Sequence, residues 1–134
     1  MRAITRIESP DEAGCVPACL AMVLGRPYRE IADDFLVDFT VDGVPFRTTI
    51  DYLEREGCST IHKQIVGGGH RFARKELSRP FAPVHIVQVS HFIDADCDHA
   101  IVMTARGRII DPGRNNYTSL DYFYAVNQTV GIWI

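Results

Sequence analysis

The chain has 134 residues, of which 46% are hydrophobic, so it is long enough for the core of one domain and too short for two. Its formal net charge of -3, with basic residues scattered along the chain, excludes the charge pattern typical of nucleic-acid binding. The longest apolar run, Cys15 to Leu24, is interrupted by Pro17 and too short to span a bilayer, and no apolar segment follows Met1. We therefore expect one soluble, cytoplasmic domain over residues 1–134 that neither binds nucleic acid nor inserts into a membrane.

The first half of the chain predicts helices. Residues 15–25 form an apolar, helix-forming stretch that Gly25-Arg26-Pro27 ends. A second short helix is predicted from Tyr28 to Phe35, and a third from Phe46 to Glu56, where Gly57 supplies the stop. In the third helix the apolar residues fall on one stripe, which comprises Phe46, Ile50 and Leu53.

After Pro80 the pattern changes to strands. Val84 to Val89 is rich in β-branched residues, and Ala100 to Ala105 with Arg108 to Ile110 predicts a hairpin. Gly131 to Ile134 is predicted to close the sheet, and Ser119 to Val126 is predicted to form a short helix capped by Ser119. Helices first and strands second indicate an α+β fold, with N-terminal helices packed on a C-terminal antiparallel β-sheet.

A thiol stands where small loop residues give way to the first predicted helix, in Ala13-Gly14-Cys15-Val16-Pro17. A helix start carries unpaired backbone N–H groups and the positive end of the macrodipole, so a cysteine there ionises more readily than a free one. Since the thiolate is the nucleophilic form, Cys15 is the candidate nucleophile. Cys19, one turn later in an apolar setting, is predicted to be an inert buried thiol, and all four cysteines are expected to be reduced.

A base and a carboxylate follow Cys15 in the order Cys, His, Asp. His99 opens an apolar strand, and Asp111 follows the second strand of the predicted hairpin. In such an arrangement the imidazole takes the thiol proton and the carboxylate holds the ring in the right tautomer. His85 and His91 are alternative bases. The pattern favours His99, because His85 lies inside a strand and His91 precedes no second strand ending in a carboxylate.

The loop of the hairpin decides whether Asp111 can reach His99. A two-residue turn would put Asp111 on the face away from His99. A three-residue loop, Arg106-Gly107-Arg108, returns Asp111 to the His99 face, opposite Met103, and puts Asn115 opposite His99 if the strand continues. Asp111 is therefore the candidate orienter of His99, and Asn115 is its alternative.

These residues resemble a compact papain-like cysteine peptidase, closest to the bacteriocin-leader-processing (double-glycine) peptidases and their stand-alone relatives. That family has a cysteine at the start of a helix, followed by Cys-Leu-Ala-Met-Val, with His and Asp-Pro on a later hairpin. The matching residues are Cys15, Cys19, Leu20, Ala21, Met22, Val23, His99, Asp111 and Pro112. The resemblance implies a papain-like fold that hydrolyses a peptide or protein substrate, with a catalytic triad of Cys15, His99 and Asp111 and no cofactor.

Two positions depart from the family's pattern. Ser9 stands six residues before Cys15, where the family has its oxyanion-hole glutamine, and Val16 stands where a glycine follows the nucleophile. We expect the short Ser9 side chain to slow the reaction, and the branched Val16 side chain to crowd the cleft beside the sulfur. Two alternatives to the peptidase stay open. One is a catalytically weak or inactive peptide-binding or assembly module, and the other is a deamidase, transamidase or isopeptidase using the same triad.

The source and context follow from the same resemblance. Relatives that cut after Gly-Gly are typically fused to an exporter, and this chain contains no transporter segment. We therefore expect a stand-alone bacterial or phage-encoded hydrolase. Its substrate, its oligomeric state and any association with a virion stay open.

Metal sites are suggested only by weak patterns. Cys58-x-x-x-His62 and Cys97-x-His99 supply thiolates and imidazoles, but neither spacing is a standard zinc motif. Asp94, Asp96 and Asp98 resemble the opening of a calcium loop that lacks its glycine and its bidentate glutamate. Gly67-Gly68-Gly69 precedes no Lys-Ser or Lys-Thr pair and predicts a surface loop. We therefore expect no metal.

Overall fold

The computed structural model describes residues 3–11, 13–35, 44–65, 80–91 and 98–134. These ranges contain three helices, five strands and one short 3-10 turn. In chain order they are α1 (Cys15–Leu24), α2 (Tyr28–Ala32), α3 (Phe46–Arg55), β1 (Ser59–Gln64), β2 (Val84–His91), β3 (Asp98–Thr104), β4 (Ile109–Ile110), the 3-10 turn (Leu120–Tyr122) and β5 (Phe123–Trp133). Among the described helices, none has both the length and the apolar character that crossing a membrane requires. The glycine run at residues 67–69 lies outside the described residues.

The five strands form one antiparallel sheet in the order β1-β5-β2-β3-β4. The long strand β5 pairs with β1 on one side and with β2 on the other, and β2 also pairs with β3. At the far edge β4 pairs with β3 through only two residue pairs, Val102 with Ile110 and Met103 with Ile109. The predicted α+β class is therefore confirmed, with all three helices preceding the sheet in the chain.

Helix α1 contacts α2, α3 and β3. Eight of its ten residues are buried, because its sequence is apolar on almost every side. The helix ends at Gly25 as predicted, where a left-handed φ of 68° lets the backbone N–H bond the carbonyl of Ala21. Burial around the whole helix gives its N-terminal residue, Cys15, a fixed position.

Helices α2 and α3 lie where the sequence predicts them, and their observed lengths differ slightly from the predicted ones. Helix α3 buries the predicted stripe of Phe46, Ile50 and Leu53, and Gly57 follows its end with a φ of 89°. Helix α2 is shorter than predicted. It ends at Ala32, and turn hydrogen bonds, including that from the Phe35 N–H, continue beyond it.

Each face of the sheet contributes to a separate apolar cluster, because successive strand side chains alternate between faces. The helices cover the face that carries Ile86 and Val102. The opposite face carries Val87, Ile101 and Phe123, against which Tyr117 and Leu120 pack. His99 precedes Ile101 by two residues and belongs with this second face.

Two sequence predictions about the sheet are wrong. Residues 119–126 do not form a helix. Ser119 accepts a hydrogen bond from the Asp121 N–H as a cap would, but only a single 3-10 turn follows before β5 begins at Phe123. The fully buried Phe123 and the pairing of β5 with β2 override the local helix signal. Strand β5 is consequently much longer than the predicted 131–134, and β1 was not predicted at all.

Candidate active site

Cys15 is the first residue of α1, and its side chain is half-exposed. The first hydrogen bond of this helix runs from the Ala18 N–H to the Gly14 carbonyl at 3.1 Å. Pro17 has no N–H, so the N–H groups of Cys15 and Val16 are the two that lie outside the hydrogen bonding of the helix. These two donors and the positive end of the helix dipole therefore lie beside the Cys15 sulfur.

The hairpin turn brings Asp111 to the same face as His99. The Gly107 N–H donates to the Thr104 carbonyl, the Thr104 N–H donates to the Arg108 carbonyl, and Gly107 has a φ of 81°. The loop thus has three residues, as predicted, but it comprises residues 105–107 instead of 106–108. Continuing the observed register places Asp111 level with Ile101 and Gly113 level with His99.

Two predictions about register are consequently wrong. Asp111 does not lie opposite Met103, which pairs with Ile109. Asn115 does not lie opposite His99 either, and its side chain is exposed. Moving the loop by one residue shifts the register by two, which keeps Asp111 on the predicted face and places Gly113 across from His99.

Asp111 and His99 form a short, buried contact. Nε2 of His99 lies 2.6 Å from Oδ1 of Asp111, and the two side chains are only 10% and 2% exposed. The carboxylate also accepts the backbone N–H groups of Gly113 at 2.8 Å and Tyr117 at 2.9 Å. Burial raises the pKa of Asp111, but the hydrogen bond and charge of His99, with the two backbone donors, bring it below its ordinary value. The carboxylate is therefore ionised, and three hydrogen bonds fix its position.

The pKa of His99 is also affected by Cys15, and the two side chains line the same cleft. Asp111 occupies Nε2, so Nδ1 is the ring nitrogen left to exchange a proton with the sulfur. Burial lowers the pKa of His99, but the hydrogen bonds and negative charges of Asp111 and Cys15 outweigh this and raise it to about 9. The imidazole is therefore protonated near neutral pH when its two neighbours are anionic.

The pair of Cys15 and His99 opens onto a cleft of about 580 Å³, a size that suits a short segment of substrate. The lining is mostly polar and includes charges of both signs. Besides Cys15 and His99 it comprises Glu8, Ser9, Pro10, Asp11, Pro112, Gly113 and Arg114. Reactive groups at the wall of an open cleft can meet a ligand, whereas buried ones cannot.

The loop before Cys15 is fixed by close packing around Gly14. The Ser9 hydroxyl donates to the Asp11 carbonyl at 2.7 Å, and the Tyr28 hydroxyl donates to the Asp11 carboxylate at 2.6 Å. A Cβ on Gly14 would overlap the Tyr28 hydroxyl and lie 2.5 Å from Oγ of Ser9. Only glycine fits there, so this loop holds the start of α1 in one position.

The expectation that Val16 crowds the cleft is wrong. Its side chain is only 4% exposed and packs into the apolar cluster between the helices and the sheet. Val16 is not among the residues that line the cleft. Because α1 turns this side chain toward the core, a branched residue is accommodated directly after Cys15 without obstructing the sulfur.

His85, one of the alternative bases, is a buried structural residue. It accepts the Ala82 N–H at 3.3 Å through Nε2, and Nδ1 contacts Oγ1 of Thr129 at 3.1 Å. Burial, with the nearby charge of Lys63, lowers its pKa to about 4. His85 is therefore neutral, fully enclosed and separated from any ligand.

Among the described residues, no group of three or more His, Cys, Asp or Glu side chains could hold a metal ion. Cys97, Asp94 and Asp96 lie outside the described residues, so the metal patterns that include them are not placed. His62 is exposed, and its Nε2 contacts Oε1 of Gln128 at 2.7 Å, while Cys58 is buried.

Three residues that the sequence did not indicate make contacts at the site. Arg6 bonds the carbonyls of Asp111 and Gly113, more than a hundred residues away in the chain. Gly113 and Tyr117 act through their backbone N–H groups, which no side-chain motif can reveal. The Pro112-Gly113 pair predicts a turn after Asp111, and such turns offer backbone donors to a preceding carboxylate. This turn pattern was the feature of the sequence that could have indicated the backbone donors to Asp111.

Comparison with protein-family models finds no match for this chain, and comparison with curated proteins finds no significant match. At the candidate active site, Asp111 makes a 2.6 Å contact with His99, and His99 and Cys15 line the same cleft.

Proposed function

We propose that this protein is a papain-like thiol hydrolase that cleaves a peptide bond. Cys15 is the nucleophile, His99 the general base and acid, and Asp111 the residue that orients His99. The observation that carries the proposal is that Cys15 and His99 line the wall of one cleft, while Nε2 of His99 lies only 2.6 Å from Oδ1 of Asp111. The papain-like architecture is supported by a nucleophile at the start of a helix and a histidine on a strand of an antiparallel sheet.

The reaction begins when Cys15 gives its proton to Nδ1 of His99 and its sulfur attacks the substrate carbonyl carbon. The carbonyl π electrons move to oxygen, where the N–H of Cys15 and the positive end of the helix dipole stabilise the negative charge. The oxyanion electrons then re-form the C=O bond as the C–N bond breaks, and His99 gives its proton to the departing amine, which leaves an acyl group on sulfur as a thioester.

Water completes the reaction. His99 takes a proton from water, whose oxygen attacks the thioester carbonyl, and the C–S bond breaks to release a carboxylic acid and restore Cys15. Throughout both halves Asp111 keeps Nε2 occupied, so that Nδ1 always faces the reacting atoms. Its negative charge also stabilises the imidazolium that forms in each half.

One observation favours the alternative of a peptide-binding module with little turnover. The Ser9 hydroxyl donates its proton to the Asp11 carbonyl, so it does not offer that proton to a substrate oxyanion. Among the described residues, the donors beside the Cys15 sulfur are then backbone N–H groups at the helix start. Such a site retains the nucleophile but gives less stabilisation to the transition state.

Incubation with a diverse peptide mixture, followed by mass-spectrometric identification of new termini, tests the proposal. We expect new termini with the native protein and with Cys58→Ala, a matched control that removes a thiol outside the cleft. We expect none with Cys15→Ala. Cleavage that persists in Cys15→Ala would refute the proposal, and retained peptide binding without cleavage by the native protein would favour the module.

A further inference from the structure

Three consecutive carbonyl groups, those of Asp111, Pro112 and Gly113, accept hydrogen bonds from the N-terminal segment of residues 6–9. Arg6 donates through Nε to the Asp111 carbonyl at 2.7 Å and through Nη2 to the Gly113 carbonyl at 2.6 Å. Between them, the Ser9 N–H donates to the Pro112 carbonyl at 2.8 Å. We call residues 6–9 the N-terminal strap.

We propose that Arg6 is a positioning residue of this site, which holds the Asp111–Gly113 segment so that the Asp111 carboxylate faces Nε2 of His99. The inference rests on the proposed function, and it adds a residue that the sequence pattern did not indicate. Arg6 contacts only backbone carbonyls of this segment, so it acts through Asp111 and not on a substrate.

The segment needs such support because the sheet does not supply it. Strand β4 ends at Ile110, and its last described pair with β3 is Val102 with Ile110. Beyond that point Pro112 has no N–H to donate, and Gly113 has the least restricted backbone of any residue. The hydrogen bonds of the strap therefore replace the ladder that would otherwise fix the backbone of Asp111.

The shape of the arginine side chain suits this task. Nε and Nη2 of a guanidinium form a rigid, planar pair of donors, and here each has its own carbonyl. The only ion pair of Arg6 among the described residues is with Glu8, at 3.7 Å, and the Glu8 side chain is 56% exposed. An exposed pair of this kind contributes little, so the two carbonyl bonds are the main interaction of Arg6.

The same strap also connects the two halves of the site. Ser9 binds Pro112 through its backbone and Asp11 through its hydroxyl, and its Oγ packs against Gly14 directly before Cys15. The strap thus links the loop that positions the nucleophile to the segment that positions Asp111. A change in Arg6 is expected to disturb the alignment of His99 between them.

The test compares the native protein with Arg6→Ala and Arg6→Lys, with Arg47→Ala as a matched control. Arg47 is 72% exposed on α3 and pairs only with Asp51 among the described residues. For Arg6→Ala we expect kcat to fall roughly tenfold to a hundredfold, as small misplacements of catalytic groups do, with KM nearly unchanged. Arg6→Lys is expected to recover part of kcat, because one ammonium group can reach one carbonyl but cannot span both.

A second readout, NMR titration of the His99 ring, requires no turnover and separates positioning from loss of stability. In Arg6→Ala we expect the pKa of His99 to fall from about 9 toward its ordinary value of 6.5, because its contact with Asp111 is loosened. We expect no change in Arg47→Ala. If Arg6→Ala does not fold, Arg6→Lys carries the same comparison.

The two proposals fail in different ways. Suppose that the native protein cleaves peptides through Cys15, while Arg6→Ala has the same kcat and the same pKa of His99 as the native protein. The proposal of a hydrolase then stands, and the inference about Arg6 is wrong. If the native protein does not cleave peptides but Arg6→Ala lowers the pKa of His99, the positioning by Arg6 stands and the proposal of a hydrolase is wrong. An equal loss of kcat in Arg47→Ala would also refute a specific contribution of Arg6.

Discussion

Replacing Asp111 by asparagine removes one negative charge from the site and almost no volume. The amide oxygen can keep the two donors that now meet at Oδ1, the His99 ring and the Gly113 N–H. The amide NH2 group then faces the Tyr117 N–H, which loses its acceptor at Oδ2. Asp111→Asn therefore tests the charge of Asp111 more than its shape.

The magnitude follows from the pKa of His99, which is raised from its ordinary 6.5 to about 9. That difference corresponds to about 3 kcal/mol in favour of the imidazolium, since each unit of pKa represents about 1.4 kcal/mol. Asp111 and Cys15 share this effect after outweighing the cost of burial. Without the charge of Asp111, we expect the pKa of His99 to fall by roughly one to two units. This is less than the full upward shift, because Cys15 contributes the rest.

The assay is the pH dependence of kcat/KM, whose limbs report ionisations of the free enzyme. For the native protein we expect the alkaline limb near pH 9, where His99 loses its proton. For Asp111→Asn we expect this limb at lower pH, together with a loss of kcat of up to about 10⁴-fold, as when an orienting carboxylate is removed from other triads. The exposed Asp51→Asn on α3 is the matched control.

Stability provides the same test without a substrate. Because the folded-state pKa of His99 is raised, its ion pair stabilises the fold fully below about pH 6.5 and is lost as the pH rises through about 9. The Tm of the native protein is expected to fall over this interval, and that of Asp111→Asn to fall less. An unchanged alkaline limb, a native kcat and a native Tm profile in Asp111→Asn would refute this reasoning.

Two further predictions concern neighbouring residues. In Gly113→Ala the new Cβ would lie 3.0 Å from Oδ1 of Asp111 and 3.4 Å from Nε2 of His99, so we expect kcat to fall roughly tenfold with little change in KM. A native kcat in that variant would contradict the tight packing. In Ser9→Gln a new amide donor enters the cleft while the hydrogen bond to Asp11 is lost. We expect kcat to rise, because an oxyanion donor contributes about 100-fold, and stability to fall by about 1 kcal/mol. Ser9→Ala, which loses that bond without adding a donor, is the control, and equal kcat in both variants would contradict the expectation.

Local sequence signals predicted the parts of the fold that local interactions decide. The left-handed Gly25 ends α1, and the apolar stripe of Phe46, Ile50 and Leu53 is the buried face of α3. The strand pattern of residues 84–89 lies within β2. Periodicity and turn glycines reflect backbone geometry and burial, which act over a few residues and are therefore visible in the sequence.

The errors arose where distant segments decide the structure. Residues 119–126 carry a helix cap, but pairing with β2 draws Phe123 onward into a strand. One error has a local cause instead: the hairpin loop lies one residue earlier than predicted, because Gly107 takes the left-handed position at the end of the turn. Arg6 carries no local signal, since its partners lie 105 and 107 residues away. Contacts of this kind appear only when the chain is folded.

Activity-based labelling tests the central claim, that Cys15 is a nucleophile activated by His99, most directly. The native protein and His99→Ala are treated with a thiol-reactive peptide electrophile near neutral pH, and the modified residues are mapped by mass spectrometry. We predict that Cys15 reacts well before the other three cysteines, of which Cys19 is 0% and Cys58 is 7% exposed, and that His99→Ala loses this preference. Equal labelling of all four cysteines in the folded native protein, or labelling of Cys58 with Cys15 untouched, would contradict the account.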